Sequence, residues 1–214
     1  MRVRIVPEQH NHDGALLDAV FRLRHTVFGE RCQWDVQSLH GREIDRFDTA
    51  AACYGVSLGR DGVLNGTYRL LPTTGPNMLR DVFPELLHGQ PAPEDPRILE
   101  SSRFAVLPPA EFPSARTGIL YVSADLLASQ VRYCLENDIH TVVSVTDVRF
   151  EKVLRQCGLS CERYGEPIRI GKSLAVAGWM RPTEEELRRV ESRRDALAEM
   201  AAPVRPPVRP SVAA

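Results

Sequence analysis

Apolar positions recur along the 214 residues of this chain with a period that changes several times, and each change marks an element. Residues 2–6, RVRIV, alternate polar and apolar as a half-buried strand does. Asp13 stands where an N-cap belongs, ahead of Ala15, Leu16, Ala19, Val20, Leu23 and Val27 at helical spacing. The amphipathic helix so predicted carries Arg24 near its C-terminal end. From Gly29 to Asp48 neither period is sustained, apolar residues are few and charges are many. A long irregular segment inside a compact domain is usually functional, and this one is expected to order against a ligand.

The pattern then resumes. Strands are predicted over Ala51–Leu58 and Val63–Leu71, joined across Gly59, Arg60, Asp61 and Gly62, whose Asp-Gly pair is a hairpin signal. Asn77 is placed to cap a short helix through Met78, Leu79, Val82 and Phe83, and a Pro-rich loop follows over Gly89–Pro96. Arg97–Leu107, RILESSRFAVL, reads as a central strand with Glu100 and Arg103 set in an apolar frame. Charges in a core strand must be paired, shielded or solvated by a cavity, so this strand points to a site. Thr117–Asn137 reads as a long helix, His140–Thr146 as a buried strand, and the stretch from Asp147 to Gly158 as a further helix. Ile168–Ile170 and Leu174–Met180 are the last strands, and Thr183 with Glu186 forms a capping box for a charged helix to about Met200. The expectation is an α/β fold in which helices cover both faces of a mixed sheet. It forms a single domain over residues 1–200, with a Pro-rich, disordered tail over 201–214. Periodicity does not give the strand order.

Composition narrows the function classes. Hydrophobic content of 43% and charged content of 26% are ordinary for a globular protein. A net charge of -1 supplies no global field for nucleic acid or a membrane surface, so a charged partner must meet a local patch. Nearly all of the 27 basic residues are arginine, with lysine only at Lys152 and Lys172. The five cysteines contain no CxxC pair, and the six histidines have no metal-ligand spacing, so neither a disulfide framework nor a metal site is expected. No signal-like or membrane-length apolar run occurs, and the expected location is the cytoplasm.

Ten residues, Arg24, Phe28, Trp34, Glu43, Asp45, Asp48, Arg69, Phe83, Glu100 and Arg103, stand in a pattern that resembles the signature of the acyl-homoserine lactone synthases, the LuxI-like enzymes of quorum sensing. The resemblance spans about residues 2 to 181. It implies a three-layer α-β-α sandwich with a GNAT-like sheet, in which two splayed central strands open a cleft. It also implies the reaction. An acyl group passes from acyl carrier protein or acyl-CoA to the amine of S-adenosylmethionine, and lactonisation releases methylthioadenosine. No cofactor, nucleic acid or membrane span enters that scheme. The alternatives are an ordinary GNAT-type N-acyltransferase with another amine and a catalytically silent binder of the same fold. RTGIL at residues 116–120 is only a faint echo of the Gly-rich loop that the former uses.

The residues are legible against this chemistry. S-adenosylmethionine carries a sulfonium, an ammonium and a carboxylate. Asp45 and Asp48 suit its cations, Phe28 and Trp34 suit the sulfonium or adenine, and Arg24 either forks the carboxylate or pairs with the aspartates. The resemblance adds Arg103 and Phe104 to this set and places the main chain of Ser102, Arg103 and Phe104 where donor and acceptor meet. Glu43 reads as the partner of a neighbouring arginine. Glu100 is the candidate general base, with Arg69 and Asp45 beside it in the catalytic set; a structural ion pair of Glu100 with Arg69 or Arg103 is the competing reading. The acyl chain is expected in an apolar tunnel at Met78, Phe83, Ser102, Val142, Ser144 and Val145. By the resemblance, Ser144 falls where relatives using 3-oxo chains often carry threonine, which would set its hydroxyl against a C3 substituent; an ordinary core strand is an equally good reading. Arg149, Lys152 and Arg155 form a basic group that either meets the carrier or is the solvated face of its helix.

Overall fold

A computed structural model describes residues 2–7, 14–59, 61–109, 112 and 114–201. The expected cap Asp13 and the Pro-rich tail from residue 202 lie outside the described residues. The chain opens with strand β1 (Arg2–Pro7) and helix α1 (Gly14–Arg24), which continues as a π-helical turn (His25–Arg31). Two-residue strands β2 (Ser38–Leu39) and β3 (Arg42–Glu43) make a small ribbon. Strands β4 (Cys53–Leu58) and β5 (Leu64–Pro72) form the expected hairpin, and Gly62 takes the positive φ of 80° that its turn requires.

Asn77 accepts from the Arg80 N–H and starts the single turn α2 (Met78–Asp81), after which a 3-10 turn covers Pro84–Leu87. The remaining elements are β6 (Ile98–Val106), α3 (Ala115–Glu136), β7 (Thr141–Asp147), α4 (Val148–Gln156), β8 (Glu162–Arg163), β9 (Ile168–Ile170), β10 (Ser173–Met180) and α5 (Glu184–Ala201). Asp147 caps α4 through the Arg149 and Phe150 N–H groups, Gly158 follows with φ 90°, and Thr183 accepts from the Glu186 N–H at the start of α5.

The sheet runs β1-β4-β5-β6-β7-β10-β8, with β9 on β10. Only β6 and β7 are parallel. Side chains alternate across it, as strand geometry demands. Tyr68 and Leu70 of β5 pack against Val122 and Leu126 of α3, and Val142 of β7 joins the core that α3, α4 and α5 build. On the other face, Tyr54, Val56 and Leu71 meet Val20, Leu23 and Phe28, while Val143 meets Leu79, Leu86 and Leu87. This is the expected three-layer α-β-α sandwich.

Two irregularities in β6 decide what the fold can do. The ladder to β7 runs from Ile98–Thr141 to Ser101–Ser144 and stops, although β6 continues to Val106 and β7 to Asp147. Beyond that point the two strands diverge. The pairing with β5 also shifts register between Thr67 and Arg69, which lie opposite Ala105 and Ser102. One extra residue of β6 is accommodated there as a bulge, and Arg103 takes a φ of 52° in it. Consecutive residues Ser102 and Arg103 consequently reach the same face.

Candidate active site

The face of β6 that looks toward α1 carries three arginines and three carboxylates. Arg24, at the end of α1, is fully buried; its Nε donates to Glu43, and its Nη1 and Nη2 fork onto Asp48 at 2.7 and 2.9 Å. Arg69, from β5, donates to Asp45 at 2.6 and 3.2 Å, to Asp48 at 2.7 Å and to Ser102 Oγ at 3.2 Å. Arg103, delivered by the bulge, bonds Glu43 at 3.1 Å and Asp45 at 2.7 Å. Every charge has an opposite partner, which is the condition for burying them.

The long irregular segment is held by these contacts and by its own turn. The Asp45 N–H donates to Asp48 Oδ2, the Phe47 N–H to Asp45 Oδ1, and the Asp48 N–H to the Asp45 carbonyl. Tyr54 adds a hydroxyl to Asp48 at 2.7 Å. Burial works against ionisation of Asp48, but the Arg24 hydrogen bonds and charge, with Arg69 and the Asp45 N–H, hold it well below the ordinary carboxylate range. Burial and the Asp48 charge push the Tyr54 hydroxyl far up.

Arg24 thus takes the second of its two expected roles, pairing with Asp48 and Glu43. Arg69 is equally committed, since its donors also reach the Met78 thioether at 3.3 Å. Asp45 is the reachable acid, with its side chain 13% exposed against 2% for Asp48. Beside it the π-helical turn brings Phe28 inward and stacks Trp34 on it, with centroids 5.2 Å apart and planes at 6°. Arg103 sits 5.7 Å from the centroid of the Phe28 ring, so Phe28 has neighbours at both its faces, and Trp34 is the exposed aromatic at 39%.

Glu100 is 1% exposed and makes no direct ion pair with Arg69 or Arg103 among the described residues. Those arginines are occupied by the carboxylates of residues 43–48. Its oxygens accept the Met78 and Leu79 N–H groups at 2.9 and 2.5 Å, the unpaired donors at the start of α2. Burial raises its pKa, opposed by the two amide bonds and by the more distant arginines.

The opposite face of the sheet holds a partly open cavity where β6 parts from β7 under α3 and α4. Phe104, Leu127, Val142, Phe150, Leu154 and Met180 line it, with Ser101, Gln130, Ser144 and Thr146 among its polar positions and Glu151, Glu162 and Arg163 among its charged ones. Of the six residues expected around the acyl chain, Val142 and Ser144 line this cavity and the other four do not. Met78 and Ser102 are on the charged face against Arg69, Phe83 packs between the two clusters of that face, and Val145 joins the Leu79 cluster. The bulge explains Ser102, and alternation along β7 explains Val145. Phe104 is corrected in the opposite sense. Its ring stacks with Tyr68 and tilts against Phe150 on the cavity side, away from the charges.

Sequence reasoning missed Tyr54, Gln130, Phe150, Leu127 and Met180, because each sits in a stretch that reads as plain core. Of these only Gln130, a polar residue on the buried stripe of α3, carries a signal of its own. Arg149, Lys152 and Arg155 are exposed together on α4, but Arg155 is partly neutralised by Glu151 at 2.9 Å. Among the described residues, no His, Cys, Asp and Glu group is placed to hold a metal ion, and no helix is long and apolar enough to cross a membrane.

Residues 8–190 match the family model described as autoinducer synthase. The chain belongs to the autoinducer synthase family. The acyl-homoserine-lactone synthase of Pseudomonas aeruginosa is 39% identical over 178 residues, which is 80% of this chain and 85% of that protein. The crystal structure of the AHL synthase LasI superposes with a TM-score of 0.77 at 38% identity, over 87% of this chain and 93% of that one. TofI, solved in a ternary complex with an inhibitor and MTA, gives 0.73 at 26% identity, over 92% and 100%. Of the ten signature residues, Arg24, Glu43, Asp45, Asp48, Arg69 and Arg103 form the charged network, Phe28 packs against Arg103 and carries Trp34, and Glu100 is tied to the main chain of Met78, whose thioether meets Arg69.

Proposed function

We propose that the protein is an acyl-homoserine-lactone synthase, a single-domain acyltransferase that acylates S-adenosylmethionine and closes the lactone. The observation that carries this reading is the pairing of opposites across one splayed strand pair. A compensated charge network with one reachable acid and one exposed indole lies on one face, and an apolar cavity lies on the other. The first suits a small polycationic nucleoside and the second an acyl chain. They meet where β6 leaves β7.

In the reaction, the amine of S-adenosylmethionine attacks the thioester carbonyl, the C–S bond breaks and the carrier thiol leaves. The methionine carboxylate then attacks the carbon bearing the sulfonium, and its C–S bond breaks to release methylthioadenosine. Asp45 and Trp34 are assigned to the cationic ligand, with Phe28 and Arg103 fixing both and Arg24, Asp48 and Arg69 holding Asp45 in place. Glu100 is assigned as the general base, reached directly or through one water. Burial makes it a stronger base than an exposed carboxylate, and α2 fixes its position. The main chain at the Ser102–Phe104 bulge is the candidate donor to the thioester oxygen. The exposed Arg149 and Lys152 are assigned to the acidic carrier, and the cytoplasm, where such substrates are made, is the proposed location.

The test is mass spectrometry after incubating the purified chain with S-adenosylmethionine and parallel panels of acyl carrier protein and acyl-CoA donors. Acyl-homoserine lactone formed in step with methylthioadenosine is the expected result and identifies the donor. An acylated amine without methylthioadenosine would instead make the protein an ordinary N-acyltransferase.

A further inference from the structure

Met78 is bonded to both parts of the charged face. Its thioether accepts from Arg69 Nη2 and from Arg103 Nη1, each at 3.3 Å, and its main-chain N–H donates to Glu100 Oε2 at 2.9 Å. Among the described residues Arg103 Nη1 has no acceptor but that sulfur, since Nε serves Glu43 and Nη2 serves Asp45. The charged groups that face Glu100 are Arg69 from β5 and Arg103 from its own strand, and both favour its ionisation from a distance. The residues opposite it, Leu71 of β5 and Val143 of β7, are apolar. Arg80 and Asp81 of α2 pair with each other and with the main chain of Gly75 and Asn77. A guanidinium and a carboxylate attract strongly in a buried site, yet Met78 is bonded to each and no direct pair forms among the described residues. The thioether is a neutral, weak acceptor, so it satisfies guanidinium N–H groups without adding a charge beside the base.

We infer that Met78 is a positioning residue for acylation, whose thioether keeps Arg69 and Arg103 from closing on Glu100 while its amide holds that carboxylate in place. The inference rests on the synthase reading with Glu100 as base. In the step itself a proton passes from the S-adenosylmethionine amine to Glu100 as the nitrogen attacks the thioester carbon. A guanidinium in contact would stabilise the carboxylate against that proton and weaken it as a base. Leucine in place of Met78 keeps the volume and the apolar packing on the α1 side of the sheet but offers nothing to Arg103 Nη1, for which Glu100 becomes the next acceptor. Glutamine is close to methionine in length and supplies an amide oxygen in place of the sulfur.

The test compares the intact protein with Met78→Leu and Met78→Gln, each isotope-labelled at the glutamate side-chain carboxyls. NMR titration follows the Glu100 signal, assigned by its loss from Glu100→Gln, and lactone formation follows acylation at a pH where the intact protein is fully active. In Met78→Leu the Glu100 midpoint is expected to fall by about one pH unit or more, the scale of an opposite charge brought into contact. Acylation is expected to fall about three- to tenfold through the weaker base. Met78→Gln is expected to hold the midpoint near that of the intact protein and to retain more activity than Met78→Leu. A role in packing alone predicts the reverse order, because leucine suits an apolar cluster better than glutamine does. That reverse order, or an unchanged midpoint or rate in Met78→Leu, overturns the inference, while lactone from the intact protein leaves the synthase reading standing. Absence of lactone from every donor removes both. Should Met78→Leu fail to fold, Met78→Gln decides alone: a midpoint near that of the intact protein supports the inference and a lowered one overturns it.

Discussion

On one face of β6, Arg24, Arg69 and Arg103 hold Glu43, Asp45 and Asp48 in a network where each group has at least two partners; on the other, a cavity walled mainly by aliphatic and aromatic side chains has the Ser101–Gln130 hydrogen bond and the Glu151–Arg163 ion pair in its lining. The two faces tolerate change differently for a physical reason. A buried ion loses its compensation all at once when a partner goes, whereas an apolar wall changes by increments of area. Substitutions on the charged face are therefore expected to act on stability and chemistry, and substitutions in the cavity on donor range.

The sharpest way to break this contrast is Arg24→Met. It leaves Asp48 with Arg69 alone and Glu43 with Arg103 alone, and it is expected to cost about 3–5 kcal/mol in urea unfolding. A cost below about 1 kcal/mol, the scale of an exposed pair, would show that the network is not preorganised.

Glu100→Gln tests chemistry on the same face. Acylation is expected to fall about a hundredfold, with S-adenosylmethionine binding retained. The amide oxygen can still accept one of the two α2 N–H groups, so the far-UV spectrum should stay native. Retention of more than about a tenth of the rate, less than general bases usually contribute, would remove Glu100 from the catalytic role.

The third expectation concerns acid. The folded-state pKa of Asp48 is depressed, so its contribution to stability is present above the ordinary carboxylate range and is lost as pH falls through that range toward the folded value. Asp48→Asn should accordingly cost about 2–3 kcal/mol at neutral pH and progressively less below about pH 4. A penalty that stays constant across that window would mean the carboxylate is not ionised in the network. Glu100, raised by burial, has the opposite sign: its ionisation grows unfavourable to folding as pH rises through and above the ordinary carboxylate range.

The smallest effect belongs to the cavity. Leu127→Phe adds bulk to its wall and should shift the preferred donor shorter by one or two methylenes, each worth about 0.8 kcal/mol, with little change in the rate for the new best chain. Competition between donors of different length in one reaction would read this. A uniform loss at every length would place Leu127 in the core rather than in the tunnel.

Periodicity and capping residues suffice for most elements, because they are local. Asn77, Asp147 and Thr183 satisfy helix donors within four residues of themselves, and Gly62 serves a turn within its own hairpin. The charges inside Arg97–Leu107 were likewise enough to mark a site, since an apolar strand cannot bury them alone. Which partner each charge takes was not legible. Arg24 meets Glu43 and Asp48 across 19 and 24 residues of chain, and Arg69 meets Asp45 across 24.

Pairing of that kind is set by where the sheet, the π-helical turn and the Asp45–Asp48 turn converge, which no local pattern encodes. The bulge at Arg103 is decided the same way. It puts Ser102 and Arg103 on one face and sends Phe104 to the other, reversing what strict alternation assigns. The sequence by itself determined the elements, the family and the chemical character of the site. The tertiary structure decided which charges neutralise each other, which acid stays open and which face of the sheet holds the cavity, because those depend on non-local packing.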